Sequence, residues 1–438
     1  PSTWWGLEGS LPMLLGLGLS GVPFVGTDVG GYSGDPGPEL YARWMALGVI
    51  SPFFRGHVTQ GAPDQEPWAL GTEVADLSRD FLQLRSRLHP YLYSLAEQAH
   101  QTGAPLLRPM GWAFPDDREV RDLSDQAMLG PWLLAAPVLT EGATTRELRL
   151  PEGRWQELWS GAAFQGPTRV VQDVTLAALP LYVREGAILP WGPVRPHVGA
   201  PTDEPLVLLV ATGPGETTFD LFEDAGDGPP GAPTATTTFT RTGTATGTTL
   251  TAARAGTYVP DRDLEVWLRP VAAAPTAVTL DGSALPSRTA DAEDASTGWW
   301  FDPDDRAVHV RMADPAATFS LVVDHDSALP DLRPPVAVRL TVRAPDGTPE
   351  DAVLHVATDA DAWATHHPLT RQGDVFTGTV TVPRGRWFRY KYSRGAWCTV
   401  EKWPGCEEAT DRYAFGASTR PKVDEVFGWR DACPDACR

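Results

Sequence analysis

Residues 18–68, GLSGVPFVGTDVGGYSGDPGPELYARWMALGVISPFFRGHVTQGAPDQEPW, constrain this chain more than any other stretch. The apolar run at 22–25 predicts a short buried strand, delivering Asp28 into a glycine-rich loop that ends at Tyr32. Pro38 and Glu39 open a predicted helix through Ile50. A second short run, Pro52, Phe53 and Phe54, leads into Arg55, Gly56, His57, Val58, Thr59, Gln60 and Gly61. Strand, polar loop, helix, strand and polar loop repeat the unit of a parallel sheet.

In a closed βα barrel, the residues just beyond the carboxyl ends of the strands face the active site. Those positions hold Asp28, Tyr32, Arg55, His57 and Gln60. A sugar ring suits this mixture, because its hydroxyls need paired donors and acceptors while its C–H face needs an aromatic wall. An anion site would use more cations.

The segment G-x-P-x-x-G-x-D-x-G-G-Y and the segment P-F-F-R-x-H, followed by E-P-W, resemble glycoside hydrolase family 31 in order and spacing. That family holds retaining α-glucosidases and α-xylosidases. The resemblance implies that Asp28 and Tyr32 line the loop after barrel strand 7. It implies that Arg55, His57 and Gln60 follow strand 8, with His57 and Gln60 reaching sugar hydroxyls. The family's nucleophile lies in a W-x-D-M-N-E-like motif and its acid/base in W-x-G-D-N, and neither motif occurs in this sequence. Pro1 to Trp5 resemble the residues immediately past the second motif, so the expectation is the C-terminal portion of a longer enzyme, without catalytic residues of its own. A retaining mechanism needs two carboxyls roughly 5–5.5 Å apart. Asp28 with Asp35, Asp64 or Glu66 is the local substitute pair to weigh, although Asp35 fits a turn and Glu66 a loop-stapling role. Two barrel strands alone would leave apolar surface wet.

Downstream, Leu77, Phe81, Leu84, Leu88, Leu92, Leu95 and Ala99 predict one face of a long helix, capped by Gly103 and kinked at Pro90. It resembles the family's last barrel helix. His89 and His100 are read as structural. From Asp116 short runs between turns replace helical periodicity, and 133–140, 146–150 and 179–190 predict strands. They resemble the β-sandwich behind the family's barrel, with Trp132, Trp155, Trp159 and Trp191 as core or interface. Predicted strands at 206–211, 217–222, 264–271, 308–311 and 319–323, with the Thr-rich run 234–251, form a distal sandwich. Glu223, Asp224 and Asp227 form a solvated turn in preference to a calcium cradle.

Residues 329–335 read as a stiff linker. The module after it resembles the immunoglobulin-like starch-binding domains of carbohydrate-binding module family 20, through Trp363, the strand FRYKY with Lys391, and Glu401 before an Arg412-containing turn. Trp363 is either a stacking platform or core. Trp397 and Trp403 sit in a turn-rich loop that favours exposure, but Lys402 stands where that family places a second stacking tryptophan. In a strand the slip to Trp403 would reverse its face. Cys398, Cys406, Cys433 and Cys437 suggest local disulfides, 398 with 406 and 433 with 437, in a secreted or extracytoplasmic setting. Their spacing disfavours zinc.

The fold class is therefore multidomain: the C-terminal part of a (β/α)8 barrel (1–112), a proximal β-sandwich (113–200), a distal one (201–328), a starch-binding-like β-sandwich (334–430) and a tail (431–438). A net charge of −20 disfavours nucleic acid and anionic membrane partners but suits neutral α-glucan or α-glucoside. No apolar run approaches the ~20 residues of a membrane span, and no metal or cofactor is called for. The leading reading is the C-terminal portion of a retaining α-glucosidase-type hydrolase. A carbohydrate-binding array without catalysis, or α-xylosidase specificity, is the alternative.

Overall fold

The computed structural model describes the chain apart from residues 199, 227, 230, 290–296, 314–315, 327–335, 346–347, 359–362, 383–386, 403–405, 407–408, 410–411, 416–421 and 434–438. Two compact units result, Pro1–Asp331 and Leu332–Arg438. The expected linker at 329–335 lies outside the described residues.

Three helices organise the start of the first unit. Helix α1, Trp4–Leu19, is capped by Thr3, whose hydroxyl accepts the Gly6 N–H at 3.0 Å. It buries Leu7, Leu11, Leu14, Leu15 and Gly18, at helical spacing. Trp5, Met13, Leu19, Val22 and Phe24, on and after α1, are exposed. Helix α2, Gly37–Ile50, begins with Pro38 inside its first turn and is buried from Leu40 to its end. Helix α3, Thr72–Thr102, runs through Pro90 and ends at Gly103, whose φ of 75° is the left-handed conformation glycine adopts without strain. Its buried face contains all seven apolar positions that the spacing predicts.

The parallel pairing between these helices is shorter than expected. Only Asp28–Val29 and Arg55–Gly56 form a ladder, with Asp28 opposite Arg55 and Val29 opposite Gly56. Residues 22–25 are not a strand and are not buried. They share one backbone bond with the next segment, Phe53 N–H to the Val25 carbonyl at 2.9 Å, and a ladder needs more than that.

Helix α3 is the spine against which the sheets pack. The Tyr91 hydroxyl donates to the Leu129 carbonyl at 2.8 Å and accepts the Trp132 N–H at 3.2 Å. Farther along, Arg87 reaches the Gly192 carbonyl and the Glu204 carboxylate, and the Ser94 hydroxyl accepts the Phe222 N–H. A six-stranded sheet takes in Leu107–Pro109, Ala127–Leu129, Leu133–Ala135, Leu181–Arg184, Thr145–Glu157 and Ala163–Asp173 in that order. Its core includes Met110, Met128, Leu134, Leu148, Trp155 and Tyr182. Trp155 and Trp191 are buried, whereas Trp132 and Trp159 are half-buried.

Two further sheets follow. One has five strands in the order Gly298–Asp302, Ala307–Met312, Leu264–Arg269, Leu206–Ala211 and Ile188–Trp191. The other has six, and the Thr-rich segment supplies its central hairpin, Thr234–Gly243 with Gly247–Gly256. Threonine suits strands because its branched Cβ fits a pleated surface.

The second unit pairs its strands into two four-stranded sheets and one short two-stranded ladder. Alternate residues of Trp387–Ser393 and Val336–Arg343 enter one core, among them Leu340, Val342, Phe388, Tyr390 and Tyr392, together with Phe376 from Val375–Val382. This strand-rich architecture is the many-sheeted arrangement the sequence implies.

Candidate active site

The two loops that follow the paired strands converge. Arg55 Nε donates to Asp28 Oδ1 at 2.6 Å, so the parallel register sets the two side chains against each other. The Arg55 guanidinium also lies 5.6 Å from the Phe53 ring centroid. The Tyr32 and His57 rings stand 5.5 Å apart at an angle of 35°. Tyr32 is half exposed, at 50%, and its carbonyl accepts the Thr59 N–H at 2.8 Å, which ties the loops together through the backbone. Gln60 and His57 are exposed beside it. The result is a tyrosine wall with an imidazole, a guanidinium and a carboxylate around it, suited to holding a polar ring with one apolar face.

Gly30 and Gly31 make the turn between Asp28 and Tyr32 possible. Both have positive φ, 82° and 86°. A Cβ on Gly31 would lie 2.6 Å from Ser2 N, and one on Gly30 would lie 2.5 Å from Gln65 Oε1. Ser2 donates its N–H to the Ser33 carbonyl at 2.7 Å, which holds the start of the chain against the loop.

Three supporting residues escape sequence reasoning. Gln65 is buried, and its Nε2 donates to Ser2 Oγ at 3.4 Å and to the Gly34 carbonyl at 3.3 Å. Trp44 Nε1 donates to Thr27 Oγ1 at 2.9 Å, which fixes the strand end to α2. Arg85 on α3 donates to the Val49, Ser51 and Pro52 carbonyls and so holds the turn leading to Arg55. Burial pushes the Arg85 guanidinium down to about 10. The only sequence signal for Arg85 is a charged residue beside an apolar helix face, which ordinarily means solvent.

His89 is placed structurally. Its ring stacks on Tyr93 at 5.9 Å, and burial, with Arg85 and Arg195 nearby, lowers its pKa. His100 occupies the last turn of α3. Asp35 Oδ1 accepts the Gly37 N–H at 3.2 Å, a turn role as its context suggests. In the acidic turn, Glu223 forms a two-bond pair with Arg262, and Asp224 accepts from the Tyr93 hydroxyl and Gly226 N–H. Asp227 lies outside the described residues.

Residues 1–95 match the glycosyl hydrolases family 31 TIM-barrel domain, and residues 103–189 match the family 31 C-terminal domain. Over these residues the chain is similar to glycosyl hydrolase family 31. Among relatives, alpha-glucosidase 2 of Bacillus thermoamyloliquefaciens is 36% identical over 225 residues, covering 51% of this chain and 29% of that protein. Human neutral alpha-glucosidase AB is 39% identical over 227 residues, covering 51% and 24%. The chain thus spans less than a third of these relatives' length. A Flavobacterium johnsoniae family 31 dextranase complexed with glucose superposes with a TM-score of 0.68 at 27% identity, over 73% of this chain and 42% of that one. The family 31 alpha-xylosidase of Xanthomonas citri gives a TM-score of 0.54 at 30% identity, over 61% and 31%.

The family 31 matches end before the second unit, which carries the residues expected to bind glucan. Trp363 is half-buried with φ of 64°, and the Arg389 guanidinium lies 5.9 Å from its ring. Lys391 Nζ donates to the Ala409 carbonyl at 2.7 Å, a loop-anchoring bond. Trp397 opens the short helix Trp397–Thr399, and Trp403 lies outside the described residues. Glu401, fully buried, accepts three hydrogen bonds from Arg412. Arg412 also reaches Asp424, whose carboxylate accepts from both Tyr390 and Tyr392. Burial pushes the Glu401 carboxyl up, with Arg412 opposing that shift.

The expected cysteine pairing needs correction. Cys406 bonds Cys433, with Cα atoms 5.8 Å apart, rather than Cys398. The cause is a ladder between Glu401–Lys402 and Gly428–Trp429, which carries the segments behind each strand to the same place. Cys398 is exposed, and Cys437 lies outside the described residues.

Proposed function

We propose that this chain supplies the sugar-binding wall of a retaining α-glucosidase-type hydrolase acting on α-linked glucosides or α-glucan, with nucleophile and acid/base carried on sequence upstream of Pro1. The observation that carries the reading is the convergence of Tyr32 and His57 beside the Asp28–Arg55 pair, at the ends of two parallel strands. Asp28 is committed to a cation in the loop, which suits a binding carboxylate better than a nucleophile. The exposed apolar strip of Trp5, Met13, Leu19, Val22 and Phe24 is the surface that further barrel strands would cover. The test is titration of the chain with methyl α-glucoside, followed by NMR line shifts of His57. The expected result is saturation that Tyr32→Ala abolishes; saturation unaffected by Tyr32→Ala would overturn the assignment.

A second reading, a starch-binding role for the terminal module, is supported by Trp363 and its Arg389 neighbour. Retention on insoluble starch that persists in Trp363→Ala would remove that residue from the site. The α-xylosidase alternative rests on the Xanthomonas citri likeness. We also propose a secreted or extracytoplasmic setting, which the Cys406–Cys433 bond supports.

A further inference from the structure

The five-stranded sheet of the first unit has two unlike faces. Along Leu264–Arg269 and Ala307–Met312, one set of alternate residues, Leu264, Val266, Leu268, Val308, Val310 and Met312, is wholly buried and apolar. The opposite set, Ala307 apart, is aromatic and polar: Glu265, Trp267, Arg269, His309 and Arg311. Register places Trp267 beside His309 and His309 beside Trp300 in one cross-strand row, and Glu265 beside Arg311 in the adjoining row. A face meant only to pack against another layer would continue the pattern of Val207 and Leu209 on the neighbouring strand, both buried.

The row is held rigidly. Glu265 Oε1 accepts Trp267 Nε1 at 2.5 Å and faces His309 Nδ1 at 3.1 Å. The His309 ring stacks on Trp300, 4.8 Å between centroids and 9° from parallel, while Trp267 meets it at 5.3 Å. Glu265 and His309 are each about nine-tenths buried, whereas Trp267 and Trp300 are half-buried. The floor is therefore polar and recessed, and the indoles stand at its sides.

Two buried polar atoms on this face, His309 Nε2 and Arg311 Nε, have no hydrogen-bond partner among the described residues. Orphaned buried donors and acceptors of this kind are uncommon, and each asks for a guest or a water. The charges are mixed, and both carboxylates, Asp263 and Glu265, stand against the Arg311 guanidinium.

We infer that the Trp267–His309–Trp300 row is a second carbohydrate-binding site, separate from the loops around Asp28, that takes a neutral gluco-oligosaccharide. Indole faces meet the C–H faces of the sugar, and Glu265, His309 and Arg311 supply hydroxyl partners. This site does not depend on the reading of the barrel loops.

The test uses the full chain labelled with fluorotryptophan and titrated with maltoheptaose, its 17 tryptophan resonances assigned by single Trp→Phe changes and followed by fluorine NMR. The Trp267 and Trp300 resonances are expected to shift together with one midpoint, and Trp300→Ala to weaken that midpoint by about tenfold, the loss of one good aromatic contact. Resonances of Trp267 and Trp300 that stay fixed while Trp363 shifts would overturn the sheet site and leave the terminal module as the binder. Tyr32→Ala separates the two proposals, since the sheet midpoint is expected to survive it. A sheet midpoint lost with Tyr32→Ala overturns the independence claimed here.

Discussion

Asp28 and Arg55 are 27 residues apart in sequence and directly opposite in a parallel ladder, with their side chains joined at 2.6 Å. The pair welds the two loops that carry Tyr32, His57 and Gln60. Arg55 is 48% exposed, so the pair adds little to stability, about 0.2–1 kcal/mol. Its contribution is positional. Arg55→Ala is expected to leave the melting temperature within about 2 °C while weakening glucoside binding about tenfold, as read by titration calorimetry.

Gly31→Ala tests the loop's backbone. Positive φ and a Cβ only 2.6 Å from Ser2 N both oppose any side chain. The expected cost is about 1–3 kcal/mol in urea unfolding, with the chain's first residues becoming more protease-sensitive.

Tyr91→Phe tests the α3 spine. The hydroxyl is buried, and its loss strands the Leu129 carbonyl and the Trp132 N–H. Destabilisation of about 1–3 kcal/mol is expected, measurable by thermal unfolding.

Glu157 gives a pH signature. Burial pushes its carboxyl up to about 7 despite bonds from Ser160 and Trp159. The unfolded carboxyl ionises near 4.5, so in the window from there to about 7 the folded state holds more protons. Stability from this group is complete below the window and is lost as pH rises through it, on the order of 3 kcal/mol. Glu157→Gln keeps the acceptor for Ser160 and is expected to flatten the difference in unfolding free energy between pH 5 and pH 8. An unchanged difference would place the titration elsewhere.

Cys406→Ser opens a 27-residue separation in the terminal module. A loss of about 2–4 kcal/mol is expected in that module's unfolding, matched by reducing the wild type.

The sequence carried the local features well. Helix α3 follows from apolar spacing, and its end from Gly103, because both depend on contacts within a few residues. The Thr-rich hairpin follows from alternation and branching. The features that stayed hidden depend on distant partners. Residues 22–25 look like a strand, but a strand exists only where a neighbour completes its ladder. The Cys406–Cys433 bond depends on Glu401 lying opposite Trp429, a register no local spacing reveals. Gln65 and Arg85 read as solvent-facing polar residues until the fold carries them to carbonyls 31 to 36 positions away. Lys391 was legible as a residue on the right strand, but its bond to the Ala409 carbonyl was not.

The central claim is that these loops bind sugar while the catalytic carboxyls lie on other sequence. The most direct measurement is turnover of an aryl α-glucoside by the purified chain. No turnover above the solvent rate is expected, with glucoside binding retained. Clear hydrolysis that Asp28→Asn abolishes would contradict the claim, and would make Asp28 a catalytic residue of this chain.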